Sequence, residues 1–231
     1  MNAAAAIATY LKPRYRPFHC DILTVVAANL RLRPPEQVAR MLRSDLERVL
    51  QLISESPEAY QDELPTVLDL ARATLTRLTL TDVALPGIVV DVAFADLTSA
   101  SLVGCNLFRL RGRETVLEKA RCSRSNLGEA RLNSARCQGA QMHETNLVSA
   151  TLKEADLRGV EFCEARLQEA HLEGARLEGA NFQGADLANA YFWGATFDTQ
   201  TIDSIARGAR RWRGNRHFDP AVRQSLEAVA V

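Results

Sequence analysis

Four histidines and five cysteines are the side chains in this 231-residue sequence best suited to metal binding or nucleophilic chemistry. His19 and Cys20 sit together just after Phe18, while His143, His171 and His217 lack Cys or acidic partners at zinc-ligand spacing. Cys105, Cys122, Cys137 and Cys163 are scattered through the middle of the chain. That is no disulfide framework, and free thiols suit a reducing compartment, so a cytoplasmic location is expected. Ser and Glu are plentiful, yet no glycine-rich phosphate loop or dinucleotide fingerprint occurs. These residues predict no enzyme, no catalytic, cofactor-binding or metal site, and no cofactor.

Composition narrows the partners. Lys plus Arg and Asp plus Glu both number 28, so net charge favours neither a polyanion nor a polycation, and direct nucleic-acid binding is not expected. No apolar run reaches the length of a membrane span. The opening residues lack a basic segment before their short apolar run, so a cleaved leader is not expected.

The elements that must carry any surface repeat every five residues. From Leu97 to Ile202 a large apolar residue recurs at each fifth position, with Gly112 as the departure, and Ala usually stands two residues earlier. In extended chain these two positions point the same way and the residue between them points opposite. Each unit therefore reads as one side with small and large residues inward, followed by a polar or Gly corner. At Gly112 the preceding inward position is Leu110 instead of Ala, which predicts a repacked side that conserves volume.

The runs "ADLTS", "ADLRG", "ANFQG" and "ADLAN" resemble the pentapeptide-repeat family over residues 93–202. The resemblance implies a mainly β fold, a right-handed quadrilateral β-helix with four pentapeptides to a coil. Residues 20 apart would then stack, giving a ladder of Leu107, Leu127, Leu147, Leu167 and Leu187, and an outward amide column of Asn106, Asn126 and Asn146. The same register puts His143 and Cys163 on adjacent rungs as surface neighbours.

Domain limits follow from where the beat fails. Residues 1–77 read as an N-terminal helical module: Asn2–Leu11, ended by Pro13 and Pro17; Phe18–Arg31; and Glu36–Ser54, with a stripe of Val38, Met41, Leu42, Leu46, Val49, Leu50 and Ile53. Residues 78–202 read as the repeat stack, in main phase from 93, with a bulge or loop between Pro86 and Ala93. Residues 203–231 read as a C-terminal helical cap, whose last helix starts at Pro220 behind Asp219.

Charge is uneven: residues 95–136 carry 8 basic and 4 acidic side chains, residues 137–202 carry 4 and 10, and the tail carries 6 and 3. The tail is expected to fold back on the acidic coils. Tyr191, Trp193, Trp212, Val222, Leu226 and Val229 form the expected interaction surface, either covered by the tail or shared in a homodimer through the C-terminal end. The functional expectation is a non-catalytic scaffold with a protein partner: a rigid rod, no membrane association, and a helical head for recognition. The alternative implied by the resemblance is a DNA mimic that binds gyrase and protects it from quinolones or toxins. The neutral chain and basic first coils weaken that alternative.

Overall fold

The computed structural model describes residues 19–60, 65–213, 215 and 217–230. Helices α1 (His19–Arg31) and α2 (Glu36–Glu55) and a 3-10 turn (Pro57–Tyr60) precede a stack of coils. Its extended runs are β1 (Val67–Asp69), β2 (Thr79–Thr81), β3 (Val89–Asp91) and β4 (Ser101–Val103), followed by isolated bridges. Helices α3 (Thr199–Gly208) and α4 (Pro220–Val229) end the chain. The expected helix Asn2–Leu11 and its stops at Pro13 and Pro17 lie outside the described residues.

One side of the stack shows why five residues suffice. Ala95 and Leu97 are buried, and Ala100 N–H donates to Leu97 O at 2.9 Å to close the corner. Ser99 takes a φ of 58°, the left-handed value that such a turn demands at its third residue. Leu97 N–H then donates to Val116 O on the next rung, and Val116 N–H donates back to Ala95 O. Parallel bridges join residues 20 apart from Asp91↔Arg111 to Arg176↔Thr196, so each of these coils holds four five-residue sides. The Leu107–Leu187 column is buried throughout. Asn126 donates to Asn106 Oδ1 at 3.0 Å and Asn146 to Asn126 Oδ1 at 2.8 Å, which makes the outward column an amide ladder.

Polar and irregular positions inside the stack are accommodated. Buried Thr115 and Thr145 donate to Ala95 O and Cys122 O. Burial pushes the Cys105 thiol up to about 11 and the Cys122 thiol to about 12, so both act as small hydrophobes. A Cβ on Gly112 would lie 2.8 Å from Leu132 Cδ2, because Leu110 and Leu132 already occupy that volume.

The stack begins earlier than residue 78. β1 pairs in parallel with β3 through Val67↔Val89, Leu68↔Val90 and Asp69↔Asp91. Leu68, Leu75 and Leu78 would also fit a helical face, but pairing with the next rung imposes the two-residue period. This first coil is also longer. Its partners lie 22 apart (Thr74↔Asp96, Ala84↔Asn106), because the chain takes seven residues from Ala84 to Asp91 where the next coil takes five. The phase slip falls between Pro86 and Ala93, but as a lengthened side with Ile88, Val90 and Val92 all inward, and not as a bulge or loop. A wider coil needs larger filling, and Leu78, Val83 and Ile88 stand where later coils place Ala. An apolar cavity of about 30 Å³ remains among Leu78, Leu80, Val83, Val90 and Leu50 of α2.

Helices close the wide end. Leu46, Val49, Leu50 and Ile53 of α2 join Leu23, Val26 and Leu30 of α1 in one core with the first coil. Val38 and Met41, expected in that stripe, face solvent instead, because the buried side of α2 is centred on Leu46 and Leu50. Two amides of the first coil that have no preceding rung find side chains: Thr79 N–H donates to Glu47 Oε1 at 2.6 Å, and Ala84 N–H to Ser54 Oγ at 2.7 Å. Arg31 pairs with Asp69.

At the other end the last 20-residue bridge is at Thr196, and the tail adds one more parallel bridge, Asp186↔Arg210. Ile202, the expected final beat, lies within α3, because Asp198 caps a helix by accepting from Thr201 N–H at 2.8 Å. The tail then supplies acceptors that a further rung would have offered. Phe182 N–H donates to Ser204 Oγ, Gly184 N–H to Gly208 O, Leu187 N–H to Arg210 O and Phe192 N–H to His217 O. Asp219 was expected to cap α4, yet its carboxylate accepts from Gly194 N–H at 3.0 Å and makes no cap bond. Buried Asn215 donates to Leu187 O and Ala190 O and accepts from His217 N–H.

Three stability predictions follow from this closure. Glu47→Ala leaves the Thr79 amide to water and should cost about 0.5–1.5 kcal/mol, read as faster hydrogen exchange at Thr79. Burial pushes the Glu47 carboxyl above its ordinary 4.5, against the lowering by Thr79 N–H and Arg43. The folded chain thus keeps a proton there that the unfolded chain has released, so stability from this residue falls as pH rises through the raised value. Glu47→Gln keeps the acceptor, and its gain over the parent at neutral pH should shrink as pH falls toward 4.5. Asn215→Ala takes a partner from Ala190 O and from the half-buried His217 N–H, while Leu187 O keeps Ala190 N–H, and should cost about 1–3 kcal/mol. It should also shift tryptophan fluorescence to the red, since Trp212 is 5% exposed while Trp193 is already 44% exposed. Gly112→Leu overpacks against Leu132 and should cost about 1–3 kcal/mol, most of it recovered in a thermal melt when Leu110→Ala is added.

Candidate interaction surfaces

Because Ala, Leu and Phe fill the coils, chemistry is confined to the outward residue of each side and to the corners. The four outward columns differ in charge. One runs Arg111, Arg131, Thr151, His171, Tyr191, cationic at one end and aromatic at the other. The His171 and Tyr191 rings stack at 4.4 Å, and His217 of the tail continues the column 4.1 Å from Tyr191. Burial raises the Glu173 carboxyl, but hydrogen bonds from His171, its own backbone and Lys153 outweigh it and hold the group below its ordinary value.

The second column centres on Asp156, which Arg158 and Arg176 both reach. The hydrogen bond from Arg158 holds that carboxyl below its ordinary value despite burial. Arg136 in the same column pairs with Glu118. The amide column continues through Arg166 to Asp186, which pairs with Arg211. The fourth runs Ser101, Arg121, Gln141, Glu161, Asn181. The basic tail does fold back on acidic coils, through Arg210 on Glu164 and Arg211 on Asp186.

The structure divides the six residues of the expected surface. Trp212 and Leu226 are buried inside the chain's own tail, so neither is open to a second protein. Phe218, beside them, stacks on Phe192 at 4.5 Å and 5°. Trp193 is exposed, and Tyr191, Val222 and Val229 are half-buried. The acceptors that a second copy would have to supply to the last rung are already supplied by the tail. Sequence reasoning missed the apolar outer side of the helical head, where Val25, Leu32, Val38 and Met41 are 57%, 79%, 45% and 36% exposed. It also missed Phe94 and Phe108, exposed corner residues carrying Arg72 and Arg109 over their rings at 5.6 and 5.1 Å. Both were visible as aromatics at corner positions that mostly hold polar residues or Gly. His143 and Cys163 sit half-buried on adjacent rungs, and no cluster of three metal-ligating residues forms among the described residues.

Comparison with known proteins agrees with the repeat geometry. The family model described as pentapeptide repeats (8 copies) matches residues 113–147, 145–184 and 165–199. No curated protein matches the chain at a significant level. Among solved structures, a pentapeptide repeat protein of the Arabidopsis thaliana thylakoid lumen aligns at 22% identity, over 55% of this chain and 88% of its own, with a TM-score of 0.31. HetL of Nostoc sp. strain PCC 7120, a pentapeptide repeat protein involved in heterocyst differentiation regulation, aligns at 24% identity over 57% and 72%, TM-score 0.20. QnrB1, a plasmid-mediated fluoroquinolone resistance protein, aligns at 17% identity over 54% and 82%, TM-score 0.28. TM-scores this low transfer no partner or role. With its five-residue sides, 20-residue register and matching family model, this chain carries pentapeptide repeats over residues 113–199.

Proposed function

We propose that this chain is a non-catalytic scaffold: a rigid rod closed at both ends, whose helical head meets a protein partner. The observation behind this reading is the unequal treatment of apolar surface. The coil interior buries its apolar side chains, while the helical head leaves Val25 of α1, Leu32 just after it, and Val38 and Met41 of α2 exposed. In this reading residues 199–230 act as an intramolecular cap, and the coil is right-handed, the hand favoured for parallel crossover connections. Five free cysteines fit a cytoplasmic location.

The head cannot be tested by deletion, since removing residues 1–66 would uncover the first coil's core and the Thr79 and Ala84 amides. Charged substitutions at exposed positions avoid this. Leu32→Glu with Met41→Glu should abolish partner capture from the native cell while leaving circular dichroism unchanged; undiminished capture would overturn the recognition role of the head. The gyrase alternative is tested in the same set by a supercoiling assay. Inhibition, or protection from a quinolone, at micromolar protein would replace the scaffold reading with mimicry.

A further inference from the structure

The column Ser101, Arg121, Gln141, Glu161, Asn181 differs from the other three in its unpaired charges. Asp156, Arg136 and Asp186 are each met by an oppositely charged side chain of this chain. Among the described residues Arg111 and Arg131 are unpaired too, but the opposite charge of their column, Asp91, lies on the rung next to Arg111 with no rung between them. On the Gln141 face, Arg121, Arg124 and Glu161 enter no ion pair among the described residues. Among the described residues, Glu161 accepts only from the Asn181 amide and the Cys163 thiol. The two signs are separated by one rung, that of Gln141 and His143.

We propose that the Gln141 face docks against the same face of a second copy, antiparallel, about a twofold axis lying across the face at the Gln141 rung. Such an axis keeps every residue in its column and exchanges the rung above for the rung below. Arg121 then faces the second copy's Glu161, and Arg124 faces the second copy's Glu164, with both contacts repeated by symmetry. Packed β faces stand about 10 Å apart, a gap that an arginine and a glutamate reaching from opposite sides can span. Glu164 already accepts from Arg210, so it would be shared by two guanidinium groups. Glu144 meets its own counterpart, bracketed by the two Arg124 side chains. Two rungs of ion pairs, one on either side of the Gln141 rung, give a contact that depends on salt. This dimer differs from one through the C-terminal end, where the tail satisfies the last rung.

Sedimentation velocity of the full chain at about 0.05 M and about 1 M salt should show a dimer at the lower value and dissociation at the higher. Arg121→Glu should weaken the dimer at least tenfold, and Arg121→Glu with Glu161→Arg in the same chain should restore it. Ser123 and Cys163 occupy one corner column, a rung on either side of the axis. Ser123→Cys should therefore be joined to Cys163 of the second copy by a short bis-maleimide, giving a species of twice the chain mass in which peptide mapping finds the 123–163 link, and which is lost when Cys163→Ser is added. A protein that is monomeric at both salts, a dimer indifferent to Arg121→Glu, a charge swap that does not rescue, or links that avoid the 123–163 pair would each overturn the proposal.

Discussion

A parallel stack of coils passes its backbone hydrogen bonds from one rung to the next, and its first and last rungs have no neighbour. This constraint governs everything outside the repeat. An unpaired edge is a template for another strand and also exposes the apolar interior behind it. The chain meets it differently at its two ends. At the first coil, side chains of a separately folded helix, Glu47 and Ser54, stand in for a missing rung. At the last, the chain turns back across the open rung, and backbone carbonyls of Gly208, Arg210 and His217 take most of the amides, with Ser204 and Asp219 taking others.

The two solutions fit the two ends. The 22-residue coil is wide and lined by Leu, Val and Ile, so it needs bulk above it, and an amphipathic helix pair delivers bulk. Even so, the space among Leu50, Leu68, Leu80 and Val90 is not completely filled. The 20-residue coils alternate Ala with Leu or Phe and are already full. There a thin covering suffices, with Phe218 stacked on Phe192 and Ile205 and Leu226 buried in the same core.

Much of the interior was legible in the sequence because it is one-dimensional. A residue's fate depends on its position in the beat, so the repacking at Gly112 could be read from spacing, and the Leu column and the amide ladder once the family resemblance supplied four sides to a coil. The ends were less legible for the same reason. Ile202 keeps the five-residue step although it lies in a helix, since Gln200 and Asp198 break the pattern only at flanking positions. Leu68, Leu75 and Leu78 satisfy two periods at once, and only pairing with β3 decides between them. Trp212 and Asp219 were identifiable as special residues, but their partners, an interior and Gly194 N–H, belong to other parts of the chain. Spacing alone could not reveal those contacts.

Separating interior from exterior also separates stability from recognition. An inward residue touches rungs above and below, so a change there is felt along the column and is constrained by packing. An outward residue at mid-side meets only its column neighbours and solvent, and exposed ion pairs contribute little to stability. Charges on these faces can therefore vary at small cost to the fold. Against that background, Asp156 gathering two arginines is readily explained as local neutralisation. Arg121 and Glu161 are not, since each lies two rungs from an opposite charge with which it forms no ion pair. Within one rod the Gln141 rung stands between them; across a twofold axis at that rung, each arginine faces a carboxylate.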